Sequence, residues 1–432
     1  MRVLATVFAT KPHLFNLVPV LAALRAAGHE VWIASHPDLM DTIERIGFTG
    51  VPVGNELNMM ASLQAQDGAD RGASNWESLT SGMTETREER LTWNYVLGAF
   101  TMGCSADYDY VTDQAMLDEL VELAREWQPH LVIWDALTFA GAIAAHASGA
   151  AHARMLFGID YISRMYDRYL GLMAEQPVGR RDDPVTDWIS GRLARAGCTG
   201  TPGPDLVREM MTGQVTIDPT PGWMQLPLTV PRLPVRYVPF NGPSTIPDWV
   251  HETPSRPRVC LSLGVSGQLL GGDFVSVVDL VTALAELDVE VVATLNADQL
   301  AAVDALPDNV RAVDFVPLND LLPTCAAIVQ HGGFGTLGNV LVHGVPSLTV
   351  PAPWWDERDL GRKLHERRAG IHLEPGDVTP HRLTEAVASL LGDPVYRERA
   401  AAVRAEILAT PPPGELTRAL EDLASERMGL TR

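Results

Sequence analysis

The 432-residue sequence predicts an α/β protein made of two parallel-sheet domains. Three observations carry that prediction. In both halves short apolar runs alternate with amphipathic segments, the pattern of strands and helices wound on a parallel sheet. A proline-dense stretch, 219–257, separates the halves. Each half also places polar, chemistry-bearing residues just beyond an apolar run, where doubly wound sheets bind their ligands.

Taken in order, 3–9 reads as a buried strand, Thr10-Lys11-Pro12-His13 as a loop, and 14–27 as a helix closed by Gly28. Residues 30–35, 37–46 and 49–53 continue as strand, helix and strand. The segment 55–115, polar and Met-rich with Trp76 and Trp93, breaks the rhythm and reads as loops and helices. The alternation resumes with a helix at 116–127, a strand at 130–134 running into Asp135, a helix at 138–147 closed by Gly149, and a strand at 153–157. Within the linker, 235–238 has strand character. Beyond it, 258–263, 289–295 and 310–315 read as strands and 274–287 as a helix. The run 326–329 is a strand entering His331-Gly332-Gly333-Phe334-Gly335-Thr336, and 337–343 is a helix stopped by Gly344-Val345-Pro346. A strand at 347–350, a helix at 358–368, further helix to 408, a break at Pro411-Pro412-Pro413 and a helix at 416–427 complete the chain. The domain expectation is an N-terminal Rossmann-like domain over 1–218, a linker over 219–257 and a second Rossmann-like domain over 258–410. Residues 411–432 are expected as a C-terminal helix that packs back on the first domain.

A net charge of −21 argues against nucleic acid or an anionic membrane as partner. Cys104, Cys198, Cys260 and Cys325 are scattered and read as reduced thiols of a reducing compartment. No apolar run reaches the roughly 18–20 residues that span a bilayer, and no signal-cleavage pattern is present, so a cytoplasmic protein is expected.

The 331–336 stretch has the makings of an anion site. A strand, a glycine-rich turn and a helix N-terminus aim backbone N–H groups at one spot, and glycines allow a phosphate close approach. Such turns are also common in α/β folds, and this one lacks the spacing of a nucleotide-hydrolase P-loop. The turn after the first strand reads Ala-Thr-Lys-Pro-His-Leu (9–14), without the glycines of a dinucleotide fold. No histidine set has metal-ligand spacing and no Asp-x-Asp pair ends a strand, so no metal and no cofactor are expected. His29, His146, His152 and His343 read as helix-end or surface residues. His13 and Asp135 each fall at a strand's carboxyl end.

These motifs resemble those of the nucleotide-sugar glycosyltransferases of the GT-B fold, two Rossmann-like β/α/β domains facing across a cleft. The likeness is to the actinobacterial enzymes that attach TDP-deoxysugars to macrolide and other polyketide antibiotics, the desosaminyltransferases among them. It spans nearly the whole chain. It is strongest at His13-Leu14-Phe15 through Pro19, at LVIWDALTFA (131–140), at VRYVPFNGPS (235–244) and at NVRAVDFVPLNDLLPTCAAIVQHGGFGT (309–336), with LTWNYVLG (91–98) pointing to the subgroup. The resemblance implies an inverting transfer with His13 as general base and Asp135 as its partner. It implies donor-diphosphate contacts from His331, Gly333, Gly335 and Thr336, with Ser266 a further phosphate contact. Phe315 and Val316 would hold the base, although Pro317 is followed here by Leu318 where many relatives have glutamine. Asp356 and Glu357 match an acidic pair that contacts the donor sugar, Glu357 standing where glutamine is usual. Asn339 replaces a glutamate that binds ribose hydroxyls in UDP-sugar enzymes, which favours TDP. Many relatives with aminodeoxysugar donors need a cytochrome P-450-like activator protein, so such a partner is expected on 55–115 and 155–200. A homodimer is the commonest assembly prior. A non-catalytic sugar-nucleotide binder and a GT-B-type sugar-nucleotide epimerase remain alternative readings.

Overall fold

A computed structural model describes residues 1–58, 82–264, 276–303, 305–352 and 354–429. The chain forms two compact units, Met1–Arg236 with Pro411–Arg432, and Tyr237–Thr410. Each is a Rossmann-like domain on a wholly parallel sheet.

The first sheet has the order β3-β2-β1-β4-β5-β6-β7. Its strands are β1 Arg2–Thr6, β2 Glu30–Ser35, β3 Thr49–Pro52, β4 Leu131–Asp135, β5 Ala151–Met155, β6 Val215–Asp218 and β7 Arg232–Pro234. Both faces are covered, so β4 and β5 are buried at every residue and show no polar alternation. β1 pairs β2 on one side and β4 on the other. The winding reverses there, and the carboxyl ends of β1 and β4 open on a topological switch point.

Several boundaries differ from the sequence reading, and β6 and β13 are strands it does not contain. The first helix is Lys11–Ala26, and Pro12 lies in its first turn, where a missing N–H leaves nothing unsatisfied. His13 is therefore helical, not in a loop. β7 lies at 232–234, ahead of the expected 235–238, because it is an edge strand read from its pairing with β6 rather than from an apolar run. The proline-dense stretch is accordingly divided, its first part completing the first sheet and the remainder belonging to the second unit. In the 55–115 segment, helix Trp93–Met102 passes through a π-helical turn, Gly103–Asp107, into Tyr108–Val111. Trp76 lies outside the described residues. The last helix, Pro413–Arg427, packs on Lys11–Ala26 within the first unit.

The second sheet has the order β10-β9-β8-β11-β12-β13. Its strands are β8 Arg258–Ser262, β9 Glu290–Thr294, β10 Val310–Val313, β11 Ala327–Gln330, β12 Ser347–Thr349 and β13 Gly370–His372. Val259, Leu261, Val291, Val329 and Leu348 meet helices Val277–Ala285 and Pro380–Gly392 in one core. β8 lies between β9 and β11, so a second switch point opens past β8 and β11. The helix after the glycine-rich turn is Phe334–His343, closed by Gly344 at φ +65°. Gly335 and Thr336 thus belong to its first turn. All four cysteines are free. Among the described residues no helix is long and apolar enough to cross a membrane.

Candidate active site

At the first switch point, the helix following β1 brings His13 to the last residue of β4. His13 Nδ1 lies 2.7 Å from Asp135 Oδ2. An ionised carboxylate only accepts, so Nδ1 carries the shared hydrogen and the neutral ring keeps its lone pair on Nε2. Asp135 is 1% exposed, and its other oxygen accepts the Leu137 N–H at 3.1 Å. The imidazole also meets two aromatic rings, Phe8 at 4.8 Å and Phe157 at 4.3 Å between centroids. One turn along the helix, Asn16 Nδ2 donates to the Leu156 carbonyl at 2.7 Å, tying the helix to the chain leaving β5. The result is an oriented imidazole whose Nε2 has no hydrogen-bond partner among the described residues.

At the second switch point, β11 ends in Gln330 and the chain turns through His331, Gly332 and Gly333. Gln330 is fully buried, takes the Gly332 N–H on Oε1 at 2.7 Å and donates from Nε2 to Thr349 Oγ1 at 3.0 Å. It fixes the turn. The His331 ring fills a slot that only glycines leave open: a β-carbon on Gly264 would come within 2.2 Å of it, and one on Gly333 within 2.4 Å. Burial lowers the pKa of His331 to about 4, so the ring is neutral, and its buried Nδ1 has no partner among the described residues. Among the described residues no side chain caps helix Phe334–His343. The N–H groups of Phe334, Gly335 and Thr336 find no partner among the described residues, and the helix dipole makes an anion the favoured guest. Glu357 closes the turn from behind. Its Oε2 accepts the Trp355 N–H at 2.7 Å, and burial pushes its carboxyl up to about 7.

Two family models cover the chain: "Erythromycin biosynthesis protein CIII-like, N-terminal domain" over residues 22–264, and the corresponding C-terminal domain over 278–423. The chain belongs to this family. Among its relatives is aclacinomycin-T 2-deoxy-L-fucose transferase of Streptomyces galilaeus, 46% identical over 99% of this chain and 97% of the relative. Another is 10-deoxymethynolide desosaminyltransferase of Streptomyces venezuelae, 41% identical over 99% of this chain and 98% of the relative. Among solved structures, the glycosyltransferase VinC in complex with DTDP matches with a TM-score of 0.88 and 45% identity, over 99% of this chain and 100% of that one. The chain is a glycosyltransferase of the GT-B fold.

Within this erythromycin CIII-like framework the residues singled out from sequence form groups. His13 and Asp135 are in direct contact. His331, Gly333, Gly335 and Thr336 form one turn and helix start, and Gly332 touches Glu357, whose neighbour Asp356 is 3% exposed. Phe315 and Val316 follow β10, three strands away on the same carboxyl edge; Phe315 is 48% exposed and Val316 is buried. Ser266 lies outside the described residues. Asn339 is turned inward, 1% exposed, with Nδ2 bonded to the Gly335 carbonyl at 2.8 Å. His152 is a correction: it is buried in β5, accepting from Trp134 Nε1 at 3.1 Å and facing Glu209, not on the surface. Phe157 and Gln330 went unread as site residues. Gln330 carried a signal, a lone polar residue ending the apolar run before His331; Phe157 carried none beyond its place at the end of a strand.

Proposed function

We propose that this protein is an inverting glycosyltransferase that moves a deoxysugar, in one version an aminodeoxysugar, from a TDP-sugar to a hydroxyl of a polyketide- or macrolide-type aglycone in antibiotic biosynthesis. The observation that carries the reading is the 2.7 Å contact of His13 Nδ1 with buried Asp135, which leaves Nε2 as a base at the switch point. In the reaction Nε2 removes the acceptor's hydroxyl proton as that oxygen bonds the anomeric carbon from the face opposite the leaving group. The bond from that carbon to the diphosphate oxygen breaks, and TDP leaves with the electron pair. Asp135 stabilises the imidazolium that forms. The first-turn N–H groups at Phe334, Gly335 and Thr336, with neutral His331 beside them, take up the charge growing on the diphosphate without a divalent ion. The inward turn of Asn339 supports a deoxyribonucleotide donor, because that side chain is engaged by Gly335 rather than offered to a 2′-hydroxyl. VinC, the similar structure, was solved with DTDP.

Partners and place follow as part of the same proposal: a cytochrome P-450-like activator docking on 55–115 and 155–200, a homodimer, and a cytoplasmic location. The deciding experiment mixes TDP-deoxysugars with a panel of polyketide aglycones, with and without EDTA and a co-expressed activator, and follows glycoside by mass spectrometry. Acceptor-dependent glycoside, lost in His13→Ala, is expected. Donor turnover that needs no acceptor would replace this reading with an epimerase, and TDP binding without turnover would leave a sugar-nucleotide binder.

A further inference from the structure

The helix that would grip the donor diphosphate is weak at the end that matters. Its first turns contain Gly335 and Gly338, poor helix formers, and its N-cap is Gly333, with no side chain to close the first turn. Donor N–H groups stabilise charge well only if they are already fixed in place. Something else must hold them.

That something is Tyr237, the first residue of the second unit. Its hydroxyl donates to the Gly335 carbonyl at 3.1 Å and accepts from Asn339 Nδ2 at 3.4 Å. Asn339 Nδ2 donates to the same carbonyl at 2.8 Å, so two side chains converge on one backbone oxygen in the first turn. The ring lies directly on the helix at Gly338, where a β-carbon would come within 2.6 Å of it. The ring meets Phe334 edge to face, with centroids 5.5 Å apart and planes at 83°. Burial raises the phenol well above its ordinary range, so the hydroxyl remains a donor. Tyr237 and Gly338 are thus a matched pair, the missing side chain of one making room for the ring of the other.

We infer that Tyr237 is a positioning residue for the donor diphosphate, acting through Gly335 to hold the first turn of helix Phe334–His343 so that its N–H groups converge on the phosphates. The inference rests on the donor reading above and adds to it a residue that touches neither the phosphates nor the reacting atoms.

The test compares TDP with thymidine on the wild-type chain, Tyr237→Phe and Gly338→Ala, by calorimetry for TDP and ligand-observed NMR for thymidine. Tyr237→Phe removes one oxygen and keeps the ring packed. It should weaken TDP about fivefold, the net worth of roughly one hydrogen bond, and leave thymidine unchanged. Gly338→Ala, although alanine is the better helix former, should do the same by lifting the ring off the helix. Equal TDP affinity in Tyr237→Phe and wild type, or a parallel loss of both ligands, means that Tyr237 only packs, and the proposal falls while the donor reading stands. A wild-type chain that does not bind TDP removes both.

Discussion

Gly332 is packed against Glu357 so closely that a β-carbon on Gly332 would lie 2.7 Å from the Glu357 Cβ and 2.9 Å from its carbonyl oxygen. Gly332 also holds φ at +99°, a conformation that side-chain-bearing residues rarely adopt. Gly332→Ala therefore meets backbone strain and overlap with backbone atoms at once. An expected cost of about 2–4 kcal/mol follows, read as a lower denaturant midpoint at unchanged m-value. The stabilisation by added TDP should shrink with it, since the turn shifts. A variant with wild-type midpoint and wild-type TDP response would show that the turn yields more easily than this packing allows.

The same contact places a carboxyl group where pH can report it. Burial raises Glu357 from 4.5 to about 7, with backbone amides of Trp355, Glu357 and Trp354 pulling the other way. Between those values the folded chain keeps a proton that the unfolded chain has lost. Its contribution to stability is fully present below pH 4.5 and disappears as pH rises towards 7. His331, lowered by burial from 6.5 to about 4, slopes oppositely: its contribution is present above pH 6.5 and is lost as pH falls towards 4. The two slopes offset each other in the wild-type chain and separate in a single variant. Glu357→Gln keeps an acceptor for the Trp355 N–H and removes the proton. Its stability relative to wild type should grow on the order of 2–3 kcal/mol between pH 5 and 8, measured by urea denaturation. A difference that stays level across that range would mean that Glu357 is ionised in the folded protein.

What the sequence made legible, and what it did not, divides along contact distance. Strands such as Leu131–Asp135 are buried on both faces and announce themselves as continuous apolar runs. His13 and Asp135 could be singled out because each sits beside such a run. The start of the first helix was misread because Pro12 signals a break in most settings and a beginning in this one. β7 was misplaced because Arg232–Pro234 has no apolar pattern and is a strand only by virtue of its pairing with β6. Tyr237 on Gly335, Phe157 on His13 and Gln330 on Thr349 join residues distant in the chain. No local window contains such pairs, so their roles appear only once the sheets are assembled.

The His13–Asp135 contact predicts two variants with one signature. His13→Ala removes the base, and transfer should fall about 10²–10⁴-fold. Asp135→Asn keeps a group of the same shape but cannot offset the positive charge of an imidazolium, and a loss of similar size is expected. TDP affinity should not change in either, because both residues belong to the unit that lacks the 331–336 turn. Rates under saturating substrates, set beside calorimetric TDP binding, check both halves of the claim. Asp135→Asn at wild-type rate would reduce Asp135 to a residue that only accepts the Leu137 N–H.

A hydrogen bond through Nδ1 fixes one end of an imidazole but lets the ring swing about it, and the aromatic clamp restricts that motion. Phe8 and Phe157 meet His13 with planes at 64° and 44°. Phe8 is 1% exposed, so its removal would disturb the core by about 3–5 kcal/mol and confuse the result. Phe157 is only half-buried, two residues beyond β5, which makes it the cleaner test. Phe157→Ala should lower kcat about tenfold, as expected when a reacting nitrogen is less well positioned, and leave the donor KM unchanged. Phe157→Leu, which refills part of the space, should recover part of the rate. If Phe157→Ala turns over as fast as wild type, Asp135 alone holds the base, and the aromatic contacts serve packing rather than chemistry.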